Sequence, residues 1–219
     1  MKNIHLSLLA VSALLIASCS EPAVKKEEET TTKEAPTEVT CNYNYDASST
    51  KLSWKAFKTS AKIGVGGTFD TYMVEGTKMA TKESEVFSNA SFTIVTPTVN
   101  SGNTARDPKI VASFFNAMMD SDTISGKVIK MGNPTNGEGA AILSITMNGE
   151  THEENAKYTL EGTDLQLSAT LDLSKWNADQ AVASLNEACE ILHTGEDGVS
   201  KLWNEVDVEI STTLTKDCE

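Results

Sequence analysis

The chain has 219 residues and a formal net charge of −13 at pH 7, with 31 acidic residues against 18 Lys and Arg. That balance repels nucleic acid and anionic surfaces, so a nucleic-acid partner is excluded. Once a leader is set aside, the length suffices for one domain with a substantial core.

The first predicted element is that leader. Lys2 forms a short basic region, and Leu6 to Ile16 is apolar but too short for the ~20 residues of a membrane-spanning helix. Ile16-Ala17-Ser18-Cys19 looks like a bacterial lipobox, in which small residues admit the peptidase and the Cys19 thiol receives the lipid. Residues 1–18 are therefore expected to be a lipoprotein signal peptide. Acyl chains on Cys19 would anchor the protein, each buried CH₂ adding about 0.8 kcal/mol. Residues 19–40 are rich in Glu, Lys, Thr and Pro and carry no aromatic residue, the composition of a disordered acidic tether. As a flexible coil it would span roughly 25 Å on average. Ser20 after the cysteine, rather than Asp, is compatible with onward transport to an outer membrane. The expected location is the cell envelope, facing the periplasm or the surface.

Residues 41–219 form the expected domain. Leu52, Trp54 and Ala56 share one face of a period-two pattern, as do Ile63, Val65, Gly67 and Phe69. Ala90, Phe92 and Ile94 alternate in a strand that runs into Thr96-Pro97-Thr98-Val99. Pro97 removes a ladder donor there and marks an edge, a bulge or a last turn. A helix over 107–119 follows, with Asp107 as N-cap and Pro108 at its first position. Ile110, Val111, Phe114, Phe115 and Met118 form its apolar stripe. Alternation resumes at Ala141, Leu143, Ile145 and Met147, and again at Leu165, Leu167, Ala169, Leu171 and Leu173. A second helix is predicted after Trp176, with Asn177 as N-cap and Gln180 completing a capping box. Its stripe is Ala181, Val182, Leu185, Cys189 and Leu192, and Val206, Val208, Ile210 and Leu214 close the series. Six to eight antiparallel strands with one wet face give a barrel or sandwich. Gly64, Gly66 and Gly67 permit the strong curvature of a barrel. The fold class is mainly β, an antiparallel barrel of about eight strands with two short helices.

Thr98-Val99-Asn100-Ser101-Gly102-Asn103, Arg106-Asp107 and Phe114-Phe115, set between a strand and an aromatic-faced helix, resemble the signature of the YceI-like family. Members are lipocalin-like barrels that bind polyisoprenoid or other long-chain lipids. Leu52-Ser53-Trp54-Lys55-Ala56-Phe57-Lys58, Gly64-Val65-Gly66-Gly67-Thr68-Phe69, Met147-Asn148-Gly149 and Leu171-Asp172-Leu173-Ser174-Lys175-Trp176 continue the resemblance in order. It implies a lipocalin-like barrel around one long apolar lipid, such as a polyisoprenoid, isoprenoid quinone or fatty-acyl derivative, for carriage or sequestration. Trp54, Phe69, Phe92, Ile94, Leu143, Ile145, Leu167 and Leu171 would then line the pocket, with Phe114, Phe115 and Met118 near its entrance. Arg106 and Asp107 either tie the polar turn to the helix start or meet the ligand headgroup. The alternative is a surface or scaffold lipoprotein whose barrel is filled and whose work is protein–protein contact. A homodimer stays open under both readings.

Cys19 being assigned to lipid, Cys41, Cys189 and Cys218 remain. The first and last strands of a closed antiparallel barrel are neighbours, which allows a Cys41–Cys218 bridge with Cys189 free on the second helix. Cys189–Cys218 is the rival pairing.

Catalytic machinery is lacking in the sequence. His152, expected in a solvated turn over 149–154, has no second histidine nearby to make a zinc set. His193 ends the second helix, where the dipole favours an imidazolium. No G-x-S-x-G elbow occurs, and Gly64-Val65-Gly66-Gly67 lies within strand alternation rather than before a helix, so it is no phosphate cradle. Neither an enzyme activity nor a cofactor or metal is called for.

Overall fold

The structure, a computed structural model, describes residues 39–219, so the expected signal peptide, Cys19 and nearly all of the tether lie outside the described residues. In chain order the elements are β1 (Cys41–Asn44), β2 (Lys51–Lys58), β3 (Ile63–Phe69), β4 (Tyr72–Glu75), β5 (Ser91–Val95) and β6 (Val99–Asn100). Then come α1 (Asp107–Ser113), β7 (Thr123–Met131), β8 (Glu138–Met147), β9 (Glu150–Glu161) and β10 (Asp164–Asp172). The chain ends with α2 (Asp179–Ala188), α3 (Glu190–His193), β11 (Leu202–Thr213) and β12 (Thr215–Cys218).

Ten of the strands form one antiparallel sheet in the order β4-β5-β7-β8-β9-β10-β11-β2-β3-β6. The two ends of that order meet. β3 continues past Asp70 into β4, which pairs with β5, and β5 continues through a 3-10 turn over Thr96–Thr98 into β6. β6 pairs back onto Thr68 and Phe69 of β3. The Asp70 N–H donates to the Thr98 carbonyl at 2.9 Å and the Val95 N–H to the Thr71 carbonyl at 3.0 Å, which stitches the two breaks together. Pro97 sits at the second break because it has no N–H to give the ladder. Taking each broken pair as one strand, the neighbours close a ring of about eight, the number expected.

Alternation decides which side faces in. Along β8 and β10, Ala141, Leu143, Ile145, Met147, Leu165, Leu167, Ala169 and Leu171 are all buried, while their sequence neighbours are partly or wholly exposed. Trp176 has no exposed surface, and its Nε1 donates to the Ile145 carbonyl at 3.1 Å, so the indole can be buried without an orphaned donor. Gly67 is dictated by contact as much as by curvature: a Cβ there would stand 2.6 Å from the Trp54 ring and 2.5 Å from the Asn100 carbonyl.

All three helices gather at one end of the barrel, in the β6–β7 and β10–β11 connections. Here several local expectations need correction. Asp107 is not the N-cap of α1 but its first residue; Arg106 precedes it in helical conformation. The Asp107 carboxylate instead accepts from the Ser101 N–H at 2.9 Å and from the Ser101 hydroxyl at 2.5 Å, folding the polar turn back onto the helix. The helix stops at Ser113, and Phe115–Ala117 is a 3-10 turn, so the span to 119 is not one helix. Asn177 is not an N-cap either. It is left-handed (φ 54°) and ends a 3-10 turn over Leu173–Trp176, while α2 starts two residues later without a side-chain cap.

The histidine motif is also placed differently. The β8–β9 turn is Asn148-Gly149, both left-handed (φ 52° and 75°) as a tight hairpin requires. His152 therefore lies within β9, edge-on to Trp176 at 5.5 Å. Glu154, two residues on, is buried and paired to Lys175 at 2.6 Å. Asn148 additionally donates to the Trp176 carbonyl at 2.8 Å and accepts from the Met119 N–H at 2.8 Å, pinning both helical connections to one hairpin.

At the other end, β1 and β12 make a separate two-stranded sheet in which Cys41 stands opposite Cys218. A disulfide joins them, and Cys189 is free and buried.

Candidate functional site

The barrel is hollow. A cavity of about 390 Å³ runs through it, within the range of sites that engulf small ligands. The cavity is one-sided. Inward residues of β8 and β10 such as Leu143, Ile145, Leu167 and Leu171 are buried, but Trp54, Ala56, Val65, Phe69, Phe92, Ile94, Val206, Val208 and Ile210 are only half-buried although they line the interior. They are less completely covered than the β8 and β10 positions, so the side of the cavity built by β2, β3, β5 and β11 leaves apolar surface bare.

Among the expected pocket residues, Trp54, Phe69, Phe92, Ile94, Phe114, Phe115, Leu143, Ile145, Leu167 and Leu171 line this cavity. Met118 does not; it packs behind, against the clusters built on Trp176 and on Phe115. Phe115 holds the corner, edge-to-face with Phe69 at 6.1 Å and with Phe114 at 5.1 Å. Further lining comes from Leu52, Tyr72 and Ile124, and from Val182, Leu185, Cys189 and Leu192 of the α2–α3 segment. The helix stripe was legible in the sequence. Tyr72 sits on a four-residue strand with no periodic signal, and its hydroxyl donates to the Thr50 carbonyl at 2.5 Å.

Polar groups on the lining collect chiefly toward the helical end. Asn103, Arg106 and Lys109 come from the start of α1 and the loop before it, Lys58 from the end of β2, and His193 from α3. Lys58 Nζ donates to the Leu192 carbonyl at 2.8 Å, and His193 Nδ1 lies 3.0 Å from Asn186 Oδ1. Burial first, and the nearby Lys58 charge second, hold the His193 imidazole below its usual value. Both effects work against the imidazolium that a helix terminus would favour. Arg106 lines the opening and Asp107 does not, its carboxylate being committed to Ser101. Among the described residues no three His, Cys, Asp or Glu side chains gather in a metal-binding group.

Solved structures with this fold include Burkholderia cenocepacia BcnA, 11% identical with a TM-score of 0.53 over 79% of this chain and 99% of that one. Another is a polyisoprenoid binding domain from Saccharophagus degradans implicated in plant cell wall breakdown, 11% identical with a TM-score of 0.54 over 82% of this chain and 100% of that one. At these identities the likeness is one of fold. No curated protein matches the sequence. The sequence model of the YceI-like domain matches residues 43–214, nearly the whole described barrel, and the chain belongs to the YceI-like domain family.

Proposed function

We propose that the protein carries or sequesters one long apolar lipid inside the barrel, a polyisoprenoid, isoprenoid quinone or fatty-acyl derivative, without making or breaking a bond. The observation that carries this reading is the bare apolar wall: half-buried Trp54, Phe92, Ile94, Val206 and Val208 around a continuous cavity. Covering about 600 Å² of prenyl tail at ~25 cal/mol per Å² stabilises the complex by roughly 15 kcal/mol relative to water. A bilayer offers the tail nearly the same environment, so transfer between membrane and barrel is close to neutral and both directions are accessible. The polyisoprenoid binding named for the Saccharophagus degradans domain supports the same class of ligand here. Protein purified from cells should release such a lipid on organic extraction, seen by mass spectrometry at near one per chain. A barrel empty under every extraction condition would reject the reading.

We further propose that the protein acts at a membrane of the cell envelope, held through lipid on Cys19 by the tether over residues 19–40. The support is the Ile16-Ala17-Ser18-Cys19 pattern and the acidic composition that follows. Cys19→Ser is expected to move the protein from the membrane fraction to the soluble one. Retention of that variant in membranes at high salt would exclude the anchor.

A further inference from the structure

Nine large apolar side chains stand exposed among the described residues, and four of them, Ile63, Ile191, Leu192 and Val199, gather on one rim of the helical end. Ile191 is 90% exposed and Leu192 59%, although scattered single residues are the norm on a folded surface. Hydrogen bonds tie the three connections that carry them together. Lys58 Nζ donates to the Leu192 carbonyl at 2.8 Å, and Ile63 stands opposite Lys58 in the β2–β3 ladder. The Lys201 N–H donates to the His193 carbonyl at 3.2 Å, and the Gly195 N–H to the Val199 carbonyl at 3.0 Å.

The chemistry of the rim says what covers it. All four side chains are aliphatic, whereas the centres of protein interfaces concentrate Trp, Tyr and Arg. Charge of both signs surrounds them: Glu187, Glu190, Glu196 and Asp197 are exposed on the same segment, with Lys58, Lys62 and Lys201 across from it. Neither an acidic nor a basic surface is drawn to such a rim. The rim is also continuous with the cavity, because Leu192 belongs to both. A tail that leaves an acyl layer at this point reaches the bare apolar side of the barrel without crossing water. The length of the chain permits the approach. Cys41 starts β1 at the opposite end, and the longest strands, of 12 residues, rise about 40 Å. Residues 19–40 can extend to about 70 Å, so an anchor on Cys19 leaves the helical end free to turn to the membrane.

From this we infer that the rim is a bilayer-docking surface: Ile63, Ile191, Leu192 and Val199 enter the acyl layer of a zwitterionic membrane and set the opening of the barrel against it. The inference rests on the lipid-binding reading and adds the partner from which the tail is taken. Insertion of aliphatic groups into a surface without net charge is insensitive to salt.

The test places a nitrobenzoxadiazole label at either end of the barrel. Cys41 and Cys218 are bridged, Cys189 is buried and Cys19 is held by lipid, so one added thiol takes the label. Ile191→Cys puts it on the rim, and Glu161→Cys puts it at the far end, on an exposed position of the β9–β10 turn. With full-length protein on dioleoylphosphatidylcholine vesicles, emission from position 191 should shift to the blue and be quenched several-fold by brominated acyl chains, in low and high salt alike. Emission from position 161 should show neither change. Ile191→Asp combined with Val199→Asp, both off the cavity lining, should slow uptake of geranylgeraniol from such vesicles several-fold while the final occupancy per chain is unchanged. A label at 191 that stays in water on the vesicles overturns the docking. So does one that is already shielded without vesicles as protein concentration rises, which would assign the rim to a second copy of the chain. Neither result touches the lipid-binding reading. A docked rim on a protein that takes up no geranylgeraniol, from vesicles or from ethanol, overturns that reading and leaves the docking in place.

Discussion

Replacing Cys218 by alanine should lower the unfolding free energy by about 5 kcal/mol, the largest loss expected from any single side chain here. The bridge to Cys41 spans 177 residues, so in the chain-entropy view it removes much of the unfolded chain's freedom. It also secures a part of the fold with little else to hold it. β1 and β12 pair only with one another over four residues each, and an isolated two-stranded sheet is marginal in water. The remaining anchorage is the Tyr43–Ala80 bridge and a small cluster of Ala80, Val86 and Leu214 against Tyr43, Tyr45 and Phe87. For a domain of this size, a loss of 5 kcal/mol corresponds to a fall in melting temperature of roughly 10–20 °C. Cys218→Ala and wild type in reductant should melt together, well below the oxidised protein. A shift of less than about 3 °C in both would mean that loop closure contributes little.

How much of this was legible in the sequence differs from strand to strand. β8 and β10 announce themselves because every inward position is a medium-sized apolar residue, and those strands form the packed wall. β7 and β9 gave no such pattern. On β9 the inward positions are His152, Glu154, Ala156 and Tyr158, and two of them are polar because Trp176 and Lys175 meet them from the next connection. On β7 Gly126 stands inward, where a Cβ would lie 2.2 Å from the Phe92 ring, and the register shifts between Val128 and Lys130. A glycine that makes room for a ring and a bulge that breaks the alternation are both tertiary facts. Helix ends were misread for a related reason. Asp107 and Asn177 have the chemistry of N-caps, but the first is drawn back to Ser101 and the second closes a 3-10 turn, and neither partner is visible in local spacing. The pocket residues were legible because an inward apolar face is all that they need; that the side built by β2, β3, β5 and β11 leaves apolar surface bare is a matter of barrel geometry.

The same asymmetry predicts opposite outcomes for size changes on the two walls. Trp176 on the packed side has no exposed surface, fills the helical end against Ile145, and uses its only side-chain donor there. Trp176→Ala should therefore cost about 3–5 kcal/mol through the cavity it opens. Val208 on the bare side faces Trp54 across the β11–β2 pairing and lines the cavity only half-covered. In a filled core, Val208→Phe would cost about 1–3 kcal/mol by overpacking. Here the ring has space to enter, both residue types suit a strand, and the delipidated variant should melt within a few degrees of wild type. The loss should fall on the ligand instead. The added ring takes room the tail needs, so the lipid recovered per chain should drop several-fold or shift to shorter tails. Thermal melts of delipidated protein, paired with mass spectrometry of extracted lipid, read both effects on one preparation. Strong destabilisation by Val208→Phe, with no change in bound lipid, would show the barrel to be filled where the structure leaves it open and would turn the function toward contact with other proteins.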